Sequence, residues 1–183
     1  ERVDLPLGMH PELIGEMAHG YYNEKSAKSN GDIATESQPV ITGIVRAIKS
    51  ADEWALDVLG VPFGGPNGGK DSDNEYFSQK TNIYADRFPS IPAVYFHGYN
   101  ENNQPASEPA YIGTAVYSRT DAKGHWYKVV LDKAKEQAQR VWTAAKQGIA
   151  RASSGSITHL VRKDRDGHIT HWPVAELSIF DAV

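Results

Sequence analysis

Ala110-Tyr-Ile-Gly-Thr-Ala-Val-Tyr-Ser-Arg-Thr-Asp-Ala-Lys-Gly-His-Trp-Tyr-Lys-Val-Val-Leu131 holds two runs rich in β-branched and aromatic residues on either side of Thr120-Asp-Ala-Lys-Gly124. Apolar and polar side chains alternate in both arms, and the polar segment between them ends in glycine, so the stretch predicts a β-hairpin. Upstream, Pro39-Val-Ile-Thr-Gly-Ile-Val-Arg-Ala-Ile48 and Glu53-Trp-Ala-Leu-Asp-Val-Leu59 predict a second strand pair around the turn Ser50-Ala-Asp52. Ile91-Pro-Ala-Val-Tyr-Phe96 predicts a further strand that runs straight into His97. Downstream, 149–161 and 169–180 read as two final strands around the turn Lys163-Asp-Arg-Asp-Gly167. Glycines, prolines and acidic or amide residues crowd 60–74, a loop long enough to predict a functional rim or lid.

The period changes once with force. Leu131, Ala134, Ala138, Val141, Trp142 and Ala145 recur at steps of three and four, which predicts an amphipathic helix over 132–147. Asp132 suits its N-cap, Glu136 and Arg140 form an i,i+4 pair, and Gly148 suits the left-handed residue that ends a helix. Leu13, Ile14, Met17 and Tyr21 suggest a shorter helix followed by a loop near the N-terminus. Strands and helices do not alternate as βαβ units. The expected class is therefore α+β: a mainly antiparallel β-barrel or sheet of about six to seven strands with packed helices. A chain of 183 residues has material for one good core, so a single domain over 1–183 is expected, with an N-terminal helix and loop over 1–38 and the core over 39–183.

Composition narrows the function classes. With 40% hydrophobic and 23% charged residues the chain has the balance of a globular protein rather than a disordered one. A net charge of -4, with both signs interleaved, offers no cationic face to track a phosphate backbone, so nucleic acid is not the expected partner. No apolar run approaches the ~18 residues that span a bilayer, so no membrane partner is expected either. The absence of cysteine excludes a disulfide framework, a thiol nucleophile and a thiolate metal site. Any nucleophile must be an oxygen, a lysine amine or a metal-bound water. The chain opens at Glu1 without methionine and stops after a strand-like run, which suggests a piece trimmed from something longer.

Three polar residues stand where apolar strands end or cross the core: His97, Ser153 after the helix, and Glu176 inside Pro173-Val-Ala-Glu-Leu-Ser-Ile-Phe180. A carboxylate inside such a strand is costly to bury unless paired, and histidine is the obvious partner. A hydroxyl nucleophile needs a base within hydrogen-bond reach, and the base gains from a third group that fixes its tautomer. By residue type alone the same three read more readily as a half-exposed strand-end histidine, a Ser/Gly turn and a solvent-facing glutamate. His168 and His171, with His159 and His125, could be imagined as metal ligands, but the i,i+3 spacing on a strand turns the first two rings to opposite faces. Gly68-Gly-Lys70 lacks the following Ser/Thr and the strand-to-helix setting of a phosphate loop. Asp71, Asp73 and Glu75 lack the spacing of a calcium hand and read as a solvated loop. Neither a cofactor nor a metal is expected.

The order of these features resembles that of the prohead proteases of tailed phages. It is carried by Val94-Tyr-Phe-His97, Ile112-Gly113, the helix over 132–147, Gly148-Ile-Ala-Arg-Ala-Ser-Ser-Gly155 and Glu176-Leu-Ser-Ile179, a span of about 40–180. The resemblance implies a serine endopeptidase with Ser153 as nucleophile, His97 as base and Glu176 as third member, on a herpesvirus-protease-like fold shared with the assemblins. It also implies protein substrates, namely scaffold and capsid-protein segments and the chain's own termini, a homo-oligomer, and a setting inside the immature capsid or host cytoplasm. Two departures stay open. The sequence reads Ala152-Ser-Ser-Gly-Ser156, without the family's aromatic or hydrophobic residue after the glycine, which leaves Ser154 as a rival nucleophile. His168, His171 and Asp181 are rivals to Glu176 as the third member. The same fold without turnover, as a structural or scaffolding component of a viral particle, is the alternative.

Overall fold

The computed structural model describes residues 43–48, 53–98 and 108–181. The N-terminal helix expected within 9–30 and the turn at 50–52 lie outside the described residues. Seven strands close into a barrel, in the order β1 (Gly43–Ile48), β2 (Ala55–Pro62), β5 (Gly124–Leu131), β4 (Tyr111–Asp121), β3 (Ile91–Tyr95), β9 (Val174–Phe180) and β6 (Arg151–Ser156), with β6 pairing back to β1. All neighbours run antiparallel except β3 and β9, whose parallel register sets Val94 against Ser178. The pair β7 (Arg162–Lys163) and β8 (Ile169–His171) forms a small separate ribbon. A mainly antiparallel α+β barrel is thus what the alternating runs encode.

The hairpin is tighter than its polar segment suggests. β4 and β5 stay paired to Asp121↔Gly124, leaving Ala122-Lys123 as the turn, with Asp121 Oδ1 accepting the Lys123 N–H at 2.8 Å. Gly113 of β4 is a packing requirement: a Cβ there would lie 2.2 Å from the Val130 carbonyl oxygen of β5. The loop expected over 60–74 begins later, because β2 continues through a bulge at Gly60 to Pro62. Gly68 and Gly69 make a left-handed turn bridging Asn67 to Lys70, unrelated to any helix start. The two final strands are also broken up. The run over 149–161 yields β6 and then a short 3-10 turn at Thr158–Leu160, and that over 169–180 breaks at Trp172-Pro173 into β8 and β9.

One helix, α1 (Glu136–Gln147), is found among the described residues. It starts four residues later than expected: Asp132 closes a local turn by accepting the Ala134 N–H, and Lys135 stands at the N-cap without a side-chain cap. Leu131 belongs to β5 and Ala134 is exposed, so the buried stripe is Ala138, Val141, Ala144 and Ala145. Gly148 ends the helix at φ 75°, the left-handed conformation that glycine adopts without a Cβ penalty. Arg140 bonds Asp181 Oδ2 through Nε at 2.8 Å, tying the helix to the end of β9. Burying Val141 alone contributes about 1.5–3 kcal/mol, and Trp142 stacks on Trp54 at 5.5 Å.

His125 of β5 is buried, with Nδ1 on Thr120 Oγ1 at 2.7 Å and its ring edge-on to Phe63. Burial pushes its pKa below the ordinary histidine value. Above about pH 6.5 the ring is neutral folded and unfolded, and it adds no pH dependence; below, the unfolded chain takes up a proton that the folded one resists. Stability should therefore fall as pH drops through this window, and less steeply in His125→Gln. Denaturant midpoints measured from pH 8 to 5 test this, and parallel curves for the two proteins would refute it.

Candidate active site

From Ala175 onward β9 alternates faces residue by residue, past the register shift next to Val174. Ala175, Leu177 and Ile179 enter the barrel core, so Glu176 and Ser178 point to the other face. Antiparallel pairing gives β6 the same division: Ser153 lies opposite Ser178 and Gly155 opposite Glu176, while Ser154 lies opposite Leu177. Ser153 therefore shares the outer face with Glu176 and Ser178. Ser154 faces the interior, where it is 6% exposed and its Oγ accepts the Trp172 Nε1–H at 3.1 Å. A side chain turned into the core and engaged there is badly placed to meet a substrate. The period-2 rule thus separates the rival serines.

His97 reaches this outer face through an unusual piece of backbone. After β3 the chain makes a tight left-handed turn, with φ of 53° at Phe96, 52° at His97 and 73° at Gly98. Only the last is glycine. The left-handed conformation costs about 1–2 kcal/mol for each of the other two. Such strain persists where the surroundings over-determine it, which is common at functional sites. Here the His97 N–H donates to Ser178 Oγ at 2.6 Å, and the rings of Phe96 and His97 both pack edge-on against Phe180, at 4.8 and 5.5 Å.

The turn brings His97 Nδ1 to 2.6 Å from Glu176 Oε1, with side-chain exposures of 10% and 3%. An ionised carboxylate only accepts, so Nδ1 is the donor of this pair, and in the neutral ring Nε2 is the nitrogen that carries the lone pair a base needs. The rivals to Glu176 are engaged elsewhere. His168 bonds Ser78 Oγ at 2.8 Å and stacks on Tyr76, His171 lies beside Thr170 and Tyr84, and Asp181 accepts from Tyr95 Oη at 2.6 Å and from Arg140.

Ser153 is half-buried and lies one cross-strand step from Ser178, with Cβ atoms ~5 Å apart by strand geometry. No hydrogen bond joins its hydroxyl to a described residue, His97 included. The structure thus pairs His97 with Glu176 and sets Ser153 beside them on the same face, without the nucleophile-to-base contact. Ser178 is the member that the residue types did not single out. Its signal was present in Glu176-Leu-Ser-Ile179, where a step of two puts Glu176 and Ser178 on one face.

Asp71, Asp73 and Glu75 do bring carboxylate oxygens within 4.8 Å of one another. Asp71 Oδ1 is occupied by the N–H groups of Asp73 and Glu75, and Lys163 Nζ sits 2.6 Å from Glu75 Oε1, as in a loop that balances its own charge. Compared with protein-family models, with curated proteins and with solved structures, the chain matches none.

Proposed function

We propose that the chain is a serine endopeptidase of the prohead-maturation kind, with Ser153 as nucleophile, His97 as base and Glu176 as the group that orients the base. The observation that carries the reading is the His97–Glu176 contact of 2.6 Å, two residues along β9 from Ser178, which lies directly across from the half-buried Ser153 on the same face. In this mechanism Ser153 Oγ attacks the carbonyl carbon of a peptide bond while His97 Nε2 takes the hydroxyl proton. The C–N bond then breaks as His97 returns that proton to the departing amine, leaving an acyl group on Ser153. Water, deprotonated by the same nitrogen, releases the acid and restores the serine. Backbone N–H groups beside the nucleophile or on a neighbouring loop would hold the oxyanion. None of these steps calls for a metal.

The seven-stranded closed barrel is compatible with the herpesvirus-protease-like fold implied by the same resemblance. Substrates on this reading are scaffold and capsid-protein segments and the chain's own termini, cut by a homo-oligomer inside the immature capsid or in the host cytoplasm. One observation favours a second reading, a structural component of the particle without turnover: Ser153 makes no hydrogen bond to His97. A fluorophosphonate probe separates the two, since it bonds covalently to a serine only where a base activates it. Stoichiometric labelling at Ser153, located by peptide mass, is expected. An unlabelled protein that is folded by circular dichroism would leave the structural reading standing.

A further inference from the structure

We propose that Ser178 is a positioning residue that latches the His97 turn, so that the imidazole is held against Glu176 on the face it shares with Ser153; the inference rests on the reading of Ser153 and His97 as nucleophile and base. Ser178 is fully buried between Leu177 and Ile179, in a strand where an apolar residue would serve packing better. A buried hydroxyl is costly unless it finds a hydrogen-bond partner, so its bond to the His97 N–H, at 2.6 Å, is the reason for a hydroxyl here.

The bond also replaces something the backbone cannot supply. β3 pairs with β9 in parallel only as far as Tyr95↔Ile179, after which Phe96 and His97 turn left-handed and leave the ladder. The His97 N–H would then be an orphaned donor, and Ser178 Oγ stands in for the missing ladder carbonyl. One side chain on β9 thereby fixes the backbone of the base, while Glu176, two residues earlier on the same face, fixes its ring. Ser178 is also the residue directly across from Ser153. The latch thus sets the spacing between base and nucleophile, and a misplacement of about 1 Å can cost ~10²-fold in rate.

Ser178→Thr and Ser178→Val have the same shape, and only the first keeps the acceptor. Steady-state cleavage of a scaffold-derived peptide by the two variants should differ by ~10²-fold in kcat with KM changed little, threonine staying close to wild type. Two measurements are independent of turnover. The His97 Nδ1–H proton resonance, shifted downfield by its sharing with Glu176, should persist in the threonine variant and move or broaden in the valine one. Amide exchange at His97 should accelerate in valine alone. Should the extra bulk at this buried position unfold the barrel, Ser178→Ala against wild type makes the same comparison. Equal turnover, resonance and exchange in the paired proteins would overturn the latch while leaving Ser153 as nucleophile. A wild-type protein that neither cleaves nor takes the fluorophosphonate would instead overturn the reading of Ser153, and the resonance and exchange would still decide whether Ser178 holds the turn.

Discussion

Ser153→Ala is expected to lower turnover of a scaffold-derived peptide by ~10⁶-fold, the scale on which loss of an activated serine removes the covalent path. The fold should be untouched, because Ser153 is half-buried and its hydroxyl bonds no described residue. Ser154→Ala should do the reverse. Its hydroxyl accepts from Trp172 inside the barrel, so its loss should reduce the thermal midpoint and leave cleavage near the wild-type rate. The pair of variants separates chemistry from packing at adjacent positions of one strand. Cleavage that survives in Ser153→Ala and disappears in Ser154→Ala would place the nucleophile on the wrong face of β6 and undo the site as drawn.

The part of this site that was legible in the sequence is the part governed by strand periodicity. Glu176 and Ser178 alternate with Ala175, Leu177 and Ile179, which fixes their common face once the apolar set is buried. The same rule assigns Ser153 and Ser154 to opposite faces, but which face is the core depends on the pairing of β6 with β9, a contact between segments some 25 residues apart. Residue types could not supply that. The left-handed turn at Phe96 and His97 was illegible for a different reason. Phenylalanine has no preference for positive φ, and the enrichment of histidine there is too weak to predict two successive left-handed residues; what holds them there is Ser178 and Phe180, more than 80 residues along the chain. The hairpin, by contrast, is local, and its alternation carried through to β4 and β5 with only the turn shorter than expected. Helix α1 starts later than its sequence predicts because Asp132, a good cap by type, accepts the Ala134 N–H in a turn ahead of the helix. Capping preferences report what a side chain can do, while the chain leaving β5 decides where the helix begins.

Glu176→Gln tests whether the buried carboxylate works on the base or merely fills a strand position. Glutamine matches the volume and can still meet His97 Nδ1. It cannot compensate the positive charge that forms on the ring when Ser153 gives up its proton, and its amide can favour the wrong tautomer. Turnover should fall by ~10⁴-fold, the scale seen when the carboxylate of a triad becomes an amide. Because the lost interaction strengthens only as the imidazolium forms, kcat should carry the loss and KM should change little. Stability should move the other way or not at all. Glu176 is 3% exposed, the desolvation of a buried charge opposes its pairing, and a neutral residue of the same size removes that cost. A variant that is as stable as the wild type, labels slowly with a fluorophosphonate and barely cleaves would mark Glu176 as an electrostatic partner of the base. If kcat were unchanged and the melting temperature several degrees lower, Glu176 would instead be a strut for the Phe96–Gly98 turn, and the imidazole would act without a third group.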